Sequence, residues 1–176
     1  MGARNFLIEG VSGAGKTTVA EELERRGHHV IHGDRTLAYV GNPLSGQPLD
    51  PPFTGSDAER VAWDYAHWIW PVGTVRALLA DTGHDLTFFC GGSRNSQQFI
   101  DGFELVFRLD IDVDTLRHRL AGRGDDEFGG KPVEREMVEW VLASGEGLPR
   151  TALGIDAMRP VREIVDEILS HCRDRH

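Results

Sequence analysis

The sequence predicts an α/β fold, a parallel sheet with helices on both faces, and three observations carry that prediction. Short apolar runs of strand length alternate with helix-length segments, the pattern of strand–helix–strand crossovers. Residues Gly10-Val11-Ser12-Gly13-Ala14-Gly15-Lys16-Thr17 spell G-x-x-x-x-G-K-T, and this phosphate-binding loop stands between an apolar strand and a helix, the context in which it works. Charged residues and glycines gather directly after the strands, at the edge of a parallel sheet where ligands bind.

The first strand is read over 5–9, Asn5-Phe6-Leu7-Ile8-Glu9, and the first helix over 16–26. Between them, glycines let successive backbone N–H groups close on phosphate oxygens, and the helix N-terminus adds the positive end of its dipole. Gly10, Ser12, Gly13, Ala14, Gly15, Lys16, Thr17 and Thr18 are therefore the expected nucleotide-binding residues. Lys16 reaches the β- and γ-phosphates, and Thr17 offers its hydroxyl to Mg²⁺. Only Lys16 and Lys131 are lysines among 19 basic residues, so the chain keeps a compact ammonium where a planar guanidinium fits poorly.

A second strand over 28–32 leads into Gly33-Asp34-Arg35. The stretch Gly41–Gly55 holds four prolines and three glycines with little periodicity, and reads as a long loop, beside a ligand site or simply on the surface. Helices follow over 57–69, with Asp57 as its cap, and 72–81, and Pro71 breaks the run between them. A strand over 86–90 ends in Gly91-Gly92-Ser93-Arg94-Asn95, and one over 104–110 precedes a helix over 113–122 capped by Asp112 or Asp114. A helix over 132–143, a strand over 151–155 and a helix over 159–172 complete the chain.

Several residues have a chemical reading and a plain one. Asp34 is either the carboxylate that orients and deprotonates an attacking hydroxyl or a helix N-cap. Arg35 either holds an anionic group or is solvated. Arg94, after two glycines, suits contact with an acceptor or with the transferring phosphoryl group, or is a turn arginine. Arg119 and Arg123, four apart, share one helical face at the start of a glycine-rich, mobile segment suited to closing over phosphates; the plain reading is a solvated helix end. Trp63, Tyr65, His67, Trp68 and Trp70 give an aromatic helix face, either core or a flat wall for an acceptor. His32, His67 and His118 show no metal-binding spacing.

Composition narrows the classes. At 176 residues the expectation is one domain, 1–176, large enough for a full core. A net charge of −9 argues against general binding to nucleic acid or anionic membrane. No apolar run is long enough to span a bilayer. Met1 to Asn5 lead straight into a strand, so no signal peptide is expected. Two cysteines, Cys90 and Cys172, fit a reducing cytoplasm.

The P-loop variant, the Gly33-Asp34 pair after the second strand and the Arg119–Arg123 segment together resemble the small P-loop kinases, the superfamily of nucleoside monophosphate, shikimate, gluconate and adenylylsulfate kinases and chloramphenicol phosphotransferase. The resemblance covers most of the chain in order. It implies a three-layer P-loop kinase fold with a five-stranded parallel sheet in order 2-3-1-4-5, ATP as donor, an acceptor-binding insertion at about 35–82 and a short lid at about 119–135. It implies that Arg119 packs on adenine, that Arg123 reaches the phosphates, and that Asp156 and Pro160, flanking the turn before the last helix, line the adenine pocket. It gives Gly92-Ser93-Arg94-Asn95 the place of the loop that holds an acceptor phosphate in nucleotide kinases. Two departures stand out: Cys90 replaces the usual aspartate at the end of the third strand, and 41–82 matches no particular subfamily.

The function expected is transfer of the γ-phosphoryl group of Mg-ATP to a hydroxyl of a small-molecule acceptor. Lys16, Asp34, Arg94 and Arg123 are its catalytic residues, Asp34, Arg35 and Arg94 contact the acceptor, and Thr17 is the Mg²⁺ residue. Alternatives are a nucleoside or nucleotide kinase and a non-kinase P-loop ATPase. The chain lacks the N-K-x-D motif of guanine-specific switches and the strand-end acid of mechanical ATPases. No nucleic-acid or membrane partner is expected, and the protein is read as a cytoplasmic monomer or homodimer.

Overall fold

The computed structural model describes residues 3–52 and 54–173; Met1 and Gly2, read above as leading into the first strand, lie outside them. Among the described residues, seven strands and seven helices follow in the order β1 (Arg4–Glu9), α1 (Lys16–Arg25), β2 (His29–His32), α2 (Gly33–Thr36), β3 (Tyr39–Val40), α3 (Asp57–Ala66), β4 (Trp68–Ile69), α4 (Val72–Leu79), β5 (Leu86–Cys90), β6 (Leu105–Asp110), α5 (Val113–Ala121), α6 (Pro132–Ser144), β7 (Leu153–Asp156) and α7 (Val161–Arg173). Two single-turn 3₁₀ helices, Ser96–Gln98 and Ile100–Gly102, link β5 to β6.

The main sheet has the order β2-β5-β1-β6-β7, and all its pairings are parallel. Counted by themselves in chain order, these five strands run 2-3-1-4-5. The labels differ because two short strands, β3 and β4, intervene and pair antiparallel in a separate ribbon. β1 lies at the centre with β5 and β6 on either side, so the crossovers change direction there and a crevice opens beyond the carboxyl ends of the strands.

Side-chain alternation along β1 shows why both faces are covered. Phe6 and Ile8 join Phe88, Phe107 and Leu109 on one face, under Val19, Ala20 and Leu23 of α1, Leu116 and Leu120 of α5, and Ile164, Val165 and Ile168 of α7. Leu7 faces the other way and joins Phe89, Val75 of α4, and Trp70, Phe99 and Phe103. Trp70 stacks on Phe99 with ring centroids 6.0 Å apart.

The region 35–82 departs from the sequence reading in its details. The helix expected over 57–69 stops at Ala66, because Trp68 and Ile69 pair with Val40 and Tyr39. Its cap is Ser56, whose side chain accepts from the Glu59 amide while Glu59 accepts from the Ser56 amide; Asp57 sits in the first turn instead. Pro71 is the N-cap of α4, so the expected break is real. The loop expected over 41–55, of which Phe53 lies outside the described residues, is folded on itself in its first half: Gly41 bridges Pro48, Asn42 Oδ1 accepts from the Leu44 and Ser45 amides, and Tyr39 donates to the Gly46 carbonyl. Asp112, one of the two expected caps of α5, accepts from the Thr115 amide at 2.7 Å.

Candidate active site

The P-loop floors a cavity of about 590 Å³ lined by Ser12 to Val19, Asp34, Arg119, Arg123, Ala157, Arg159, Val161 and Ile164. Its shape depends on Gly13 and Gly15, whose φ angles of +89° and +105° lie in the left-handed region. Gly13 has a second reason to be glycine. A β-carbon there would come within 3.0 Å of Leu116 and 3.1 Å of Leu120, so the loop lies directly on α5. Gly15 is the N-cap of α1, which puts the positive helix end under the cavity. Lys16 Nζ donates to the carbonyls of Gly10 at 2.5 Å and Val11 at 3.1 Å, holding the ammonium over the loop. Gly10 itself is not in the cavity lining; its carbonyl accepts from Lys16.

Asp34 reaches the same cavity from α2. It lies inside the first turn, the N-cap being His32, so its carboxylate is not a cap. Asp34 Oδ1 accepts from the Gly92 amide at 3.1 Å and from Trp68 Nε1 at 3.3 Å. A β-carbon on Gly91 would meet that oxygen at 2.8 Å and the Trp70 ring at 2.8 Å, so the first of the two glycines makes room for the carboxylate. The Thr17 hydroxyl and the Asp34 carboxylate are oxygen groups on one cavity, the donor set that Mg²⁺ takes. Cys90, where an aspartate is usual, does not replace them: burial pushes its thiol up, so it stays neutral.

A third acidic residue, Glu9, ends β1 one position before the loop. It is 1% exposed, and neither carboxylate oxygen has a hydrogen-bond partner. The Ser93 amide faces it without closing a regular hydrogen bond. Burial raises the Glu9 carboxyl to about 7, against the pull of Arg94 and Lys16, which favour its charged form. Burial likewise lowers the Lys16 ammonium, and Asp34 and Glu9 oppose that shift.

Arg119 and Arg123 both point into the site. Arg119 donates to the carbonyls of Gly13 at 3.3 Å, Ala14 at 3.1 Å and Ala157 at 2.9 Å, pinning the P-loop to the turn before α7. Arg123 donates to Ser12 Oγ at 2.7 Å and to the Phe128 carbonyl. The segment 124–131 is a hydrogen-bonded turn and not a bare flap. Glu134 accepts from the Gly129 and Lys131 amides, and Arg135 donates to the carbonyls of Gly129 and Gly130. Asp156 and Pro160 do not line the cavity. Asp156 Oδ1 accepts from the Met158 amide at 2.9 Å and shapes the turn, while Ala157, Arg159, Val161 and Ile164 form the wall.

The other expected residues are spread out. Arg35 is exposed on α2 and does not line this cavity. Arg94 lines a neighbouring cavity of about 1410 Å³, together with Val11, Ser93 and Gly145–Leu148. Its guanidinium lies 4.2 Å from the centre of the Tyr65 ring and bonds the Tyr65 hydroxyl, which donates to the Glu146 carbonyl at 2.8 Å. The aromatic group divides accordingly. Trp70 is core, Trp63 stacks on His67 at 4.2 Å, Trp68 holds Asp34, and Tyr65 carries Arg94.

Sequence reasoning passed over Glu9, Tyr65 and Trp68 as individual site residues. The signal for Glu9 was present: a lone acid at the end of an apolar strand, directly against a phosphate loop. Trp68 and Tyr65 carried no such signal, because their roles depend on where β4 and α3 fall.

No protein-family model matches the chain, and no curated protein matches it in sequence. Solved structures do resemble it. A shikimate kinase from Acinetobacter baumannii in complex with shikimate superposes with a TM-score of 0.61 at 17% identity, covering 97% of this chain and 93% of that one. A sugar kinase from Janibacter sp. HTCC2649 gives 0.56 at 20%, covering 96% and 93%. A gluconokinase from Sinorhizobium meliloti 1021 gives 0.52 at 22%, covering 95% and 90%. At these identities the likeness speaks to fold: the chain has the fold of the P-loop shikimate and gluconate kinases.

Proposed function

We propose that the protein is an ATP-dependent kinase that transfers the γ-phosphoryl group of Mg-ATP to a hydroxyl of a small-molecule acceptor. The observation that carries this reading is the placement of Asp34 on the cavity of Lys16 and Thr17, fixed by two N–H donors. A carboxylate facing the phosphate loop is placed to orient and deprotonate an attacking hydroxyl. The acceptor oxygen forms a bond to the γ-phosphorus as the β–γ bridging bond breaks; Asp34 takes the hydroxyl proton and ADP leaves. Lys16 leaves the Gly10 and Val11 carbonyls for the phosphates, and Arg123, next to Ser12, stabilises charge on the phosphoryl oxygens. Arg119 and the wall of Ala157, Arg159 and Val161 hold the base end of the nucleotide. Bound Mg²⁺ supplies charge neutralisation, with Thr17 and Asp34 as the residues that would hold it.

The commitment of Arg94 to Tyr65 favours a hydroxylated acceptor over a nucleotide gripped by its own phosphate. Both cysteines are free and buried, which suits a reducing cytoplasm as the place of work. ADP release from Mg-ATP, measured across alcohol acceptors, tests the reading. Acceptor-dependent release that disappears in Lys16→Ala is expected; release that ignores the acceptor returns the protein to the ATPases.

A further inference from the structure

Asp34 sits in a helix too short to fix its own side chain. α2 has four residues and no side-chain cap, so it places the Asp34 backbone and leaves the carboxylate its rotamers. Two donors from other elements choose among them. The Gly92 amide, just past β5, and the Trp68 indole, on β4, both donate to Oδ1, at 3.1 and 3.3 Å. A carboxylate oxygen has two lone pairs, so Oδ1 is filled. Among the described residues no protein group donates to Oδ2.

Trp68 is itself anchored by its main chain. It pairs with Val40 across the ribbon, and its carbonyl accepts from the Arg94 amide at 2.8 Å. Two residues on, the Asn95 side chain accepts from the Trp70 amide at 3.1 Å and donates to the Trp70 carbonyl at 2.8 Å. Asn95 is 3% exposed, so water does not compete for these bonds. The loop after β5 thus grips β4 at two points, and the indole reaches Asp34 from a fixed backbone. Phenylalanine would fill the same place without a donor.

We propose that Trp68 is a positioning residue: its indole N–H, together with the Gly92 amide, engages Oδ1 of Asp34 and leaves Oδ2 as the oxygen that takes the proton of the attacking group. The O–H bond of that group breaks to Oδ2 as its oxygen bonds the γ-phosphorus and ADP leaves. The proton transfer rests on the kinase reading; the bond that positions Asp34 does not.

The test reads ADP release from Mg-ATP, with a panel of alcohols and with water as the only acceptor. Trp68→Phe keeps an aromatic ring and loses the N–H, and turnover should fall about tenfold or more. Trp68→His returns an N–H, because imidazole Nε2 stands at the ring position of indole Nε1, and should bring turnover to within about threefold of wild type. In an Asp34→Asn background, Trp68→Phe should change turnover by less than about twofold, since a residue that acts through Asp34 has nothing left to position. Equal losses in Trp68→Phe and Trp68→His, or losses that multiply with Asp34→Asn, would make Trp68 a packing residue and overturn the proposal. A fully active Trp68→Phe would also overturn it, with water serving Oδ1.

An arm free of turnover uses ¹H–¹⁵N NMR of the indole groups. The assigned Trp68 signal should move upfield in Asp34→Ala, where its acceptor is gone. An unmoved signal means that the bond is absent, and overturns the proposal even where a Trp68 variant does not fold. The two readings fail separately. Release that ignores every alcohol sinks the kinase, while the Trp68 and Asp34 variants still report on the positioning of the attacking water. Alcohol-dependent release that Trp68→Phe does not slow keeps the kinase and sinks the positioning.

Discussion

Two carboxylates near the Gly91-Gly92 turn behave differently because their partners differ. Asp34 Oδ1 is held by the Gly92 amide and Trp68 Nε1, while Glu9 is buried with both oxygens unpartnered. Asp34→Asn keeps an oxygen for both donors but cannot take a proton. Turnover should fall at least about a hundredfold, with thermal stability nearly unchanged. A fully active Asp34→Asn protein would move the base elsewhere. Glu9 makes a thermodynamic prediction. Its carboxyl is raised from 4.5 to about 7 in the fold, so between those values the native state holds a proton that the unfolded chain has released. Stability therefore falls as pH rises through that window, and above about 7 the full penalty, on the order of 3 kcal/mol, is present. Glu9→Gln removes the titration. In urea unfolding, its advantage over wild type should grow from near zero at pH 4 toward that size at pH 8. Parallel pH curves for the two proteins would show that the carboxyl is not desolvated.

At the scale of elements, the site depends on how α5 and the turn before α7 grip the P-loop. Gly13→Ala forces a side chain into a left-handed backbone and against Leu116 and Leu120. It should cost about 1–3 kcal/mol and raise the KM for ATP; unchanged melting would mean that the loop does not rest on α5. Arg119 bonds three backbone carbonyls, so Arg119→Ala should weaken ATP binding and lower the melting temperature together. Arg123, bonded to Ser12 and Phe128, serves the phosphates, and Arg123→Ala should reduce kcat more than it raises the KM for ATP. Equal, negligible effects from both substitutions would return this segment to a solvated helix end.

Elements with their own periodicity and caps were legible in the chain. β1, α1 and α7 follow from apolar spacing, and the G-x-x-x-x-G-K-T loop from its flanks. The β3–β4 ribbon was not legible. Two-residue strands have no period to detect, and Trp68 and Ile69 continue the pattern of α3 until pairing with Val40 and Tyr39 overrides it. α2 hides in the same way, as four residues whose helical turn carries Asp34 toward Gly92.

Across the whole molecule, the parallel sheet brings the ends of β1, β2 and β5 to one rim, and the chemistry collects there because the crossovers reverse at β1. The donor half of the site was legible because phosphate recognition is local: one loop and one helix N-terminus. The acceptor half was legible only in part. Asp34 and Arg94 stand out in the chain, but Trp68 and Tyr65 gain meaning only when 34 and 29 residues of separation close in space, and Glu9 only when β1 is set beside Gly92. Asp156 and Pro160 fell outside the cavity for a related reason. The resemblance located their turn, but which residues of a turn face inward depends on its hydrogen bonds, here Asp156 to the Met158 amide.

Phosphoryl transfer to carbon-bound oxygen can be followed by ³¹P NMR without a coupled assay. With Mg-ATP and a set of alcohols and polyols, the γ-phosphate signal should be replaced by a phosphomonoester resonance and ADP, and Lys16→Ala should leave ATP intact. Conversion of the γ-phosphate to inorganic phosphate alone, at a rate independent of every acceptor, would contradict the account.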